Sequence, residues 1–215
     1  FAMIPKELNG SNTIADYYEQ GRFIDTCIIP IPGLHNLSNI TAAISACRLN
    51  NISYESIKDN IQFLALPQRR FESRGEYDNR QIIDDYAHHP NEIKETIKLA
   101  RLFTNKKNQR LVVIFQPHRF SRIEQFLDDF AIELSKADSI ILTSIYGAGE
   151  VNKNNINSSI ISKKIYKMNN NVICLKDNYE VKKHFNNITN TKDFILNMGA
   201  GDCNNLWSIL NNDRI

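Results

Sequence analysis

Seven consecutive residues, Asp84-Asp85-Tyr86-Ala87-His88-His89-Pro90, put two carboxylates, a phenol and two imidazoles into one short stretch. A carboxylate there can accept hydrogen bonds from a ribose diol, and a histidine can donate to a phosphate or to a carboxylate substrate. The plain alternative is that Asp84 and Asp85 cap the next helix and the histidines sit on the surface, but five polar groups exceed what one cap requires. Adjacent side chains such as His88 and His89 do not readily converge on one ion, so no metal site is expected from them.

A second stretch, Gln116-Pro117-His118-Arg119-Phe120-Ser121-Arg122, gathers an imidazole and two guanidinium groups just before an amphipathic run. Ser121 followed by Glu124 has the spacing of a capping box, which sets the helix start at Ser121. His118, Arg119 and Arg122 then stand at the positive end of a helix dipole, where cations are disfavoured unless an anion joins them. This is a carboxylate or phosphate site by its chemistry. Two glycine turns, Tyr146-Gly147-Ala148-Gly149-Glu150 and Gly199-Ala200-Gly201-Asp202, each resemble half of a dinucleotide fingerprint. Both lack its third glycine, and tight turns with Asp202 as a helix cap remain the alternative. Nearer the start, His35, Asn36 and Asn39 surround a helix beginning, where amides can read a purine edge unless Asn36 or Ser38 only caps. Arg70 can meet a phosphate or form a surface ion pair with Glu72.

These groups need strand ends to hold them, because open α/β sheets bind ligands beyond the carboxyl ends of their strands. From Gln81 onward, apolar runs alternate with amphipathic stretches, the pattern of βαβ units around a mostly parallel sheet. The expected strands are 81–85, 110–116, 138–144, 171–175 and 193–198. Ile93, Ile97 and Ala100 mark one helix between them, and Ile123, Phe126, Leu127, Phe130, Ala131 and Leu134 mark a second, continuous one. Residues 1–66 read as the tail of a preceding domain, with a strand at 23–29, a turn at Pro32-Gly33 and helices at 38–49 and 53–64, and residues 67–215 as the α/β domain. The Asn-rich patches 152–157 and 169–171 are expected to be surface loops.

The 215 residues are 42% hydrophobic, enough for a substantial core, and Lys+Arg 26 against Asp+Glu 24 leaves a net charge of only +2. No bulk charge calls for nucleic acid or an anionic membrane as a partner, so small specific ligands are expected instead. Cys27, Cys47, Cys174 and Cys203 are widely spaced and expected to be buried free thiols of a reducing cytosol. Phe1 is neither an initiator methionine nor the start of an apolar leader, and no run approaches a membrane span. The expectation is a cytoplasmic chain whose beginning lies upstream. No GxxxxGK[ST] phosphate loop occurs, so residues cradling nucleotide phosphates are expected outside these positions.

In this order the motifs resemble the Mur ligases, ATP-dependent enzymes that add amino acids to the bacterial peptidoglycan precursor. The resemblance runs from about Gly33 to the end, and the loops at Asp84, Gln116 and Tyr146 are similar to those of the alanine-adding branch, although alanine is commoner where Gly147 stands. It implies the end of a central ATPase domain followed by a complete, Rossmann-like C-terminal Mur ligase domain. The implied reaction joins L-alanine to the lactoyl carboxylate of UDP-N-acetylmuramate through an acyl phosphate, with ATP and Mg2+ as cofactors and the metal's ligands mostly outside this chain. By the same resemblance, His35, Asn36, Asn39, Arg70 and Asp85 bind nucleotide, and Tyr86, His88, His118, Arg119, Arg122 and Tyr146 bind substrate. His88, His118, Arg119 and Arg122 carry the catalysis. The segment alone is expected to be inactive, and another Mur-type ligase such as the tripeptide-recycling enzyme, or a non-catalytic nucleotide-binding module, remains open.

Overall fold

The computed structural model describes residues 1–212 and divides the chain into two compact units, Phe1–Pro67 and Gln68 onward. In the first, three strands, β1 (Ala2–Leu8), β2 (Thr13–Glu19) and β3 (Arg22–Ile29), form an antiparallel sheet in the order β1-β2-β3. Two helices, α1 (Leu34–Leu49) and α2 (Tyr54–Ile61), follow. Their apolar faces and β2 share one core, in which the Tyr17 and Tyr54 rings stack at 5.2 Å. Only β3 among these strands was legible by its apolar run. Helix α1 begins four residues earlier than its periodicity suggests, directly after Gly33, and neither Asn36 nor Ser38 caps it.

The second unit is an α/β layer structure. Its elements are β4 (Glu72–Tyr77), β5 (Arg80–Asp85), α3 (Pro90–Lys107), β6 (Leu111–Phe115), α4 (Phe120–Gln125), α5 (Leu127–Leu134), β7 (Ser139–Leu142), α6 (Ser158–Tyr166), β8 (Val172–Cys174), α7 (Asn178–Ile188), β9 (Phe194–Met198) and, after a 3-10 turn, α8 (Leu206–Asn211). The six strands lie in the order β4-β5-β9-β6-β7-β8. All pair in parallel except β4, which runs antiparallel to β5 at the sheet's edge.

Side chains alternate across a strand, so each inner strand feeds two cores. Val113 and Phe115 of β6, with Leu196 of β9, face α3, α5 and α6, whereas Val112, Ile114 and Ile195 face α7 and α8. Burial on both faces explains why these strands read as unbroken apolar runs. Strand β4 escaped notice because Glu72-Ser73-Arg74-Gly75-Glu76-Tyr77 has no apolar alternation, as suits an edge with one partner and a bulge between Ser73 and Gly75.

Two expectations need correction. The continuous helix from 121 to 134 is two helices broken at Phe126, whose ring leaves the helical line to pack edge-on against His89 at 4.7 Å. The cysteines are free, but only Cys27 and Cys203 are buried, while Cys47 is half-buried and Cys174 exposed. Strand β8 ends the sheet, so Cys174 has no strand beyond it to cover it. No helix among the described residues is long and apolar enough to cross a membrane.

Leu196 is fully buried in β9, between β5 and β6. Replacing it with alanine should cost about 3 kcal/mol in urea unfolding, because a cavity at the sheet's centre cannot collapse. Ile173→Ala on the edge strand β8 should cost less than about 1 kcal/mol. Equal losses would mean that the two-sided core is not where the stability lies.

Candidate functional site

Three loops follow the carboxyl ends of β5, β6 and β7 and meet. The first contact is backbone: Arg119 N donates to Tyr146 O and Tyr146 N to Pro117 O, both at 2.8 Å, so the loops after β6 and β7 pair for one residue as a parallel bridge. On this frame the His118 ring stacks on Tyr146 at 5.6 Å and meets the His88 ring at 5.7 Å, while Tyr86 lies edge-on to His88 at 5.2 Å. Tyr86, His88, His118 and Tyr146 thus form one continuous aromatic row. Arg122 donates from Nη1 to His118 Nδ1 at 3.3 Å, and no carboxylate pairs with Arg122 among the described residues. His118 is held below its ordinary pKa by burial first, then by Arg122, His88 and Arg119.

The start of α4 differs from its sequence reading. Ser121 does not cap the helix; Arg119 stands at the N-cap with φ +68° and makes no side-chain cap. Ser121 instead donates from its backbone N at 3.1 Å and its hydroxyl at 2.7 Å to Glu150, so a carboxylate from the loop after β7 does the capping. The Ser121 donors, more than the nearby Arg119, hold the Glu150 carboxyl below its usual range. Glu150 lies 3.9 Å from Arg119, whose side chain is half exposed. The anion demanded by the helix dipole and the arginines is therefore partly the protein's own, and among the described residues no carboxylate pairs with Arg122.

The capping box that does exist is at α3. His89 Nδ1 accepts from Asn91 N, and Glu92 Oε2 accepts from the backbone N–H groups of His88 at 3.0 Å and His89 at 3.2 Å. The same oxygen lies 3.3 Å from His88 Nδ1, and Glu92 Oε1 lies 3.9 Å from Arg70. Arg70 pairs with Glu92 rather than Glu72, and its guanidinium stands 5.7 Å from the centre of the Tyr86 ring.

Asp84 and Asp85 point to opposite faces of β5 and cap nothing. Asp85, 5% exposed, accepts from Phe71 N at 2.8 Å, Ala87 N at 2.7 Å and Thr96 Oγ1 at 3.3 Å. Asp84, 2% exposed, pairs with Arg69 Nε at 3.2 Å and accepts from Asn197 Nδ2 at 3.0 Å. Burial pushes both carboxyls upward, against the pull of these donors. Arg69 reaches on to the carbonyls of Gly199 at 2.6 Å and Gly201 at 3.4 Å. It has φ +59°, and its own carbonyl accepts from Tyr86 N at 2.7 Å. Arg69, Glu92, Asn197 and Glu150 are the residues that sequence reasoning passed over; the only available signal was that Arg69 precedes the arginine singled out.

The second glycine turn holds no phosphate loop geometry. Gly199 N donates to Asp85 O, and a Cβ at Gly201 would come within 2.4 Å of Gln116 Oε1. Gln116 Oε1 itself accepts from Cys203 N, and its Nε2 donates to Asp202, which consequently caps no helix. These glycines serve close packing. In the first unit His35, Asn36 and Asn39 all fall in the first turns of α1, Asn36 buried with its amide donating to Pro32 O at 2.7 Å and Asn39 exposed. No group of three or more His, Cys, Asp or Glu side chains suited to a metal ion occurs among the described residues.

Residues 69–201, more than half of the chain, match the family described as Mur ligase, glutamate ligase domain. The chain belongs to the Mur ligase family. A protein of Prochlorococcus marinus subsp. pastoris (strain CCMP1986 / NIES-2087 / MED4) named UDP-N-acetylmuramate--L-alanine ligase is 58% identical over 219 residues, taking in 99% of this chain and 46% of that protein. One of the same name from Synechococcus sp. (strain CC9311) is 41% identical, over 100% of this chain and 46% of its own. This Mur ligase chain therefore spans just under half the length of these curated relatives. The crystal structure of UDP-N-acetylmuramate-alanine ligase from Thermotoga maritima has the same fold, with a TM-score of 0.79 at 22% identity over 99% of this chain and 45% of that one.

Two predictions follow from the geometry of the Mur ligase loops. Arg69→Ala strands the buried Asp84 and two carbonyls, and should lower unfolding free energy by about 3 kcal/mol or more; a loss below about 1 kcal/mol in urea titration would show that the network is dispensable. Because the folded His118 titrates below its ordinary 6.5, the unfolded chain takes up this proton first, and stability falls as pH drops through 6.5 until the folded value is passed. The fall in urea midpoint between about pH 7.5 and about pH 5.5 should be smaller in His118→Gln than in the unsubstituted chain. Equal falls would remove His118 from the pH response.

Proposed function

We propose that this chain is the C-terminal part of an ATP-dependent ligase that joins L-alanine to the lactoyl carboxylate of UDP-N-acetylmuramate in peptidoglycan precursor synthesis. The observation that carries the reading is the aromatic and cationic row Tyr86, His88, His118, Tyr146, with Arg119 half exposed beside it and Arg122 lacking a carboxylate partner among the described residues. Two guanidinium groups and an imidazole suit a substrate that brings two carboxylates, one on the amino acid and one on the sugar. The names of the curated relatives support the same substrates.

In this reading ATP phosphorylates the sugar's carboxylate, the alanine amine attacks the resulting acyl phosphate, and phosphate leaves. The chain's part is to hold amine and acyl phosphate in reacting geometry and to offset the charge that develops on the departing oxygens. Arg119 and Arg122 would bind the carboxylates, with His88, His118, Tyr86 and Tyr146 shaping the amino-acid side. His35, Asn36 and Asn39 would face adenine, Asp85 the ribose, and Arg70 the phosphates. Asp85, 5% exposed, would have to give up one of its bonds from Phe71 N, Ala87 N or Thr96 Oγ1 to accept from a ribose, and no phosphate-loop motif occurs in the sequence. The described residues offer no cluster of three or more His, Cys, Asp or Glu for magnesium, and we place its ligands mostly outside this segment.

The test is phosphate release from ATP by the full-length protein with UDP-N-acetylmuramate and candidate amino acids. Release should depend on alanine; dependence on a tripeptide or on glutamate would overturn the assignment. The 215-residue chain alone should hydrolyse no ATP. Arg119→Ala in the full-length protein should lower kcat/KM by about a hundredfold while shifting stability by less than about 0.5 kcal/mol, because the side chain is half exposed. A comparable loss of stability would make Arg119 a structural residue.

A further inference from the structure

The two imidazoles that meet between the β5 and β6 loops have bonding partners of opposite kinds. His88 Nδ1 lies 2.9 Å from the Tyr86 carbonyl oxygen and 3.3 Å from Glu92 Oε2. A carbonyl can only accept, so the proton of this ring is on Nδ1 and the lone pair is on Nε2. His118 Nδ1 lies 3.3 Å from Arg122 Nη1. A guanidinium can only donate, so here the lone pair is on Nδ1 and the proton on Nε2. Free histidine favours the Nε2–H form, so His118 has the ordinary tautomer and His88 the one that a protein must impose.

The Tyr86 carbonyl imposes it, and Glu92 sets a negative charge 3.3 Å from the same Nδ1. Its Oε2 is fixed by the backbone N–H groups of His88 and His89 as the capping box of α3, so it cannot swing away from Nδ1 without uncapping the helix. The other groups facing His88 are the Tyr86 ring, the His118 ring with Arg122 behind it, and, across Glu92, Arg70. None of these can take the proton from Nδ1.

We infer that Glu92 is a positioning residue that holds a fixed carboxylate beside the Nδ1–H of His88, whose tautomer the Tyr86 carbonyl sets, so that His88 Nε2 receives a proton from the substrate ammonium while His118 Nε2–H donates to a substrate carboxylate. The inference rests on the proposed amide ligation. The amino acid arrives as an ammonium; one N–H proton passes to His88 Nε2, giving an imidazolium whose Nδ1–H faces the Glu92 carboxylate. The freed nitrogen pair forms the C–N bond at the acyl phosphate carbon, the C–O bond to phosphate breaks, and phosphate leaves with that electron pair and the nitrogen's second proton. His88 then returns its proton to solvent. Two rings that meet edge-on with opposite tautomers divide the work that a zwitterionic amino acid demands: one end must lose a proton and the other must keep its charge.

The first test reads the tautomers in the chain itself. Long-range 1H–15N correlation spectra of the histidine-labelled chain at about pH 8, with the five histidines sorted by His88→Gln and His118→Gln, should show a protonated Nδ1 and bare Nε2 for His88 and the reverse for His118. A bare Nδ1 on His88, or averaged signals for it, overturns the inference whatever reaction the protein performs. The second test is Glu92→Gln in the full-length protein. The kcat for amide formation should fall at least about tenfold with the amino-acid KM within about twofold. An unchanged kcat with a lower unfolding midpoint would reduce Glu92 to a helix cap. If the full-length protein proves to ligate no amino acid, the proposed function fails, while the tautomer spectra still decide the geometry.

Discussion

The ion pair between Arg69 and Asp84 is the constraint on which the site side of the α/β unit depends. A carboxylate 2% exposed at the end of β5 is unfavourable in a low-dielectric interior unless it is paired and hydrogen-bonded on the spot. Arg69 and Asn197 meet that need from two other segments, the loop before β4 and the central strand β9. Because Arg69 also holds the carbonyls of Gly199 and Gly201, the single guanidinium fixes where the loops after β5 and β9 leave the sheet. Its left-handed backbone is the strain accepted to let one side chain reach all of them. Asp85, pointing to the other face of β5, makes the complementary tie to Phe71 and α3.

The arginines of this unit separate by how firmly they are held. Arg69 is mostly buried and meets its carboxylate at 3.2 Å, whereas Arg70 and Arg119 are about half exposed and stand 3.9 Å from theirs. Breaking a buried pair costs about 3–5 kcal/mol, while an exposed pair contributes about 1 kcal/mol or less. Arg70 and Arg119 can therefore exchange Glu92 and Glu150 for an incoming anion at small cost, and Arg69 cannot. Each of those two glutamates also caps a helix beside the site, so the carboxylates stay in place when the cations turn away.

Much of this was legible in the sequence because the inner strands are buried on both faces, which writes them as apolar runs, and because polar side chains crowd the three loops after them. What escaped reading depends on partners distant along the chain. Ser121 and Glu124 have the spacing of a cap, yet Glu150, from a loop after the next strand, outcompetes Glu124 for the Ser121 donors. Phe126 fits the helical period, yet its contact with His89 breaks the helix there. Strand β4 has no apolar pattern because an edge strand with one partner needs none. Arg69 and Arg70 are indistinguishable by type, and only the burial of Asp84 decides which of them is structural.

The position of the site within the sheet follows from what fills its centre. In open α/β sheets the natural ligand crevice lies where successive crossovers diverge, here between the ends of β6 and β9. In this domain that crevice is packed with protein: Gln116 bonds Cys203 N and Asp202, Cys203 is 1% exposed, and the Gly201 backbone lies so close to Gln116 and Tyr146 that no Cβ fits. The glycines after β9 permit this closure, and their hydrogen-bonding groups are taken up by Arg69 and Asp85 rather than turned to a phosphate. A cavity of about 570 Å³ remains on the α7 and α8 side of this plug, lined by Gln116, Tyr146, Asn178 and Asp202, while the histidines and the loosely held arginines stand beside the ends of β5, β6 and β7. With the centre between β6 and β9 filled, the loops after β5, β6 and β7 are the strand ends that carry the aromatic row and the loosely held arginines.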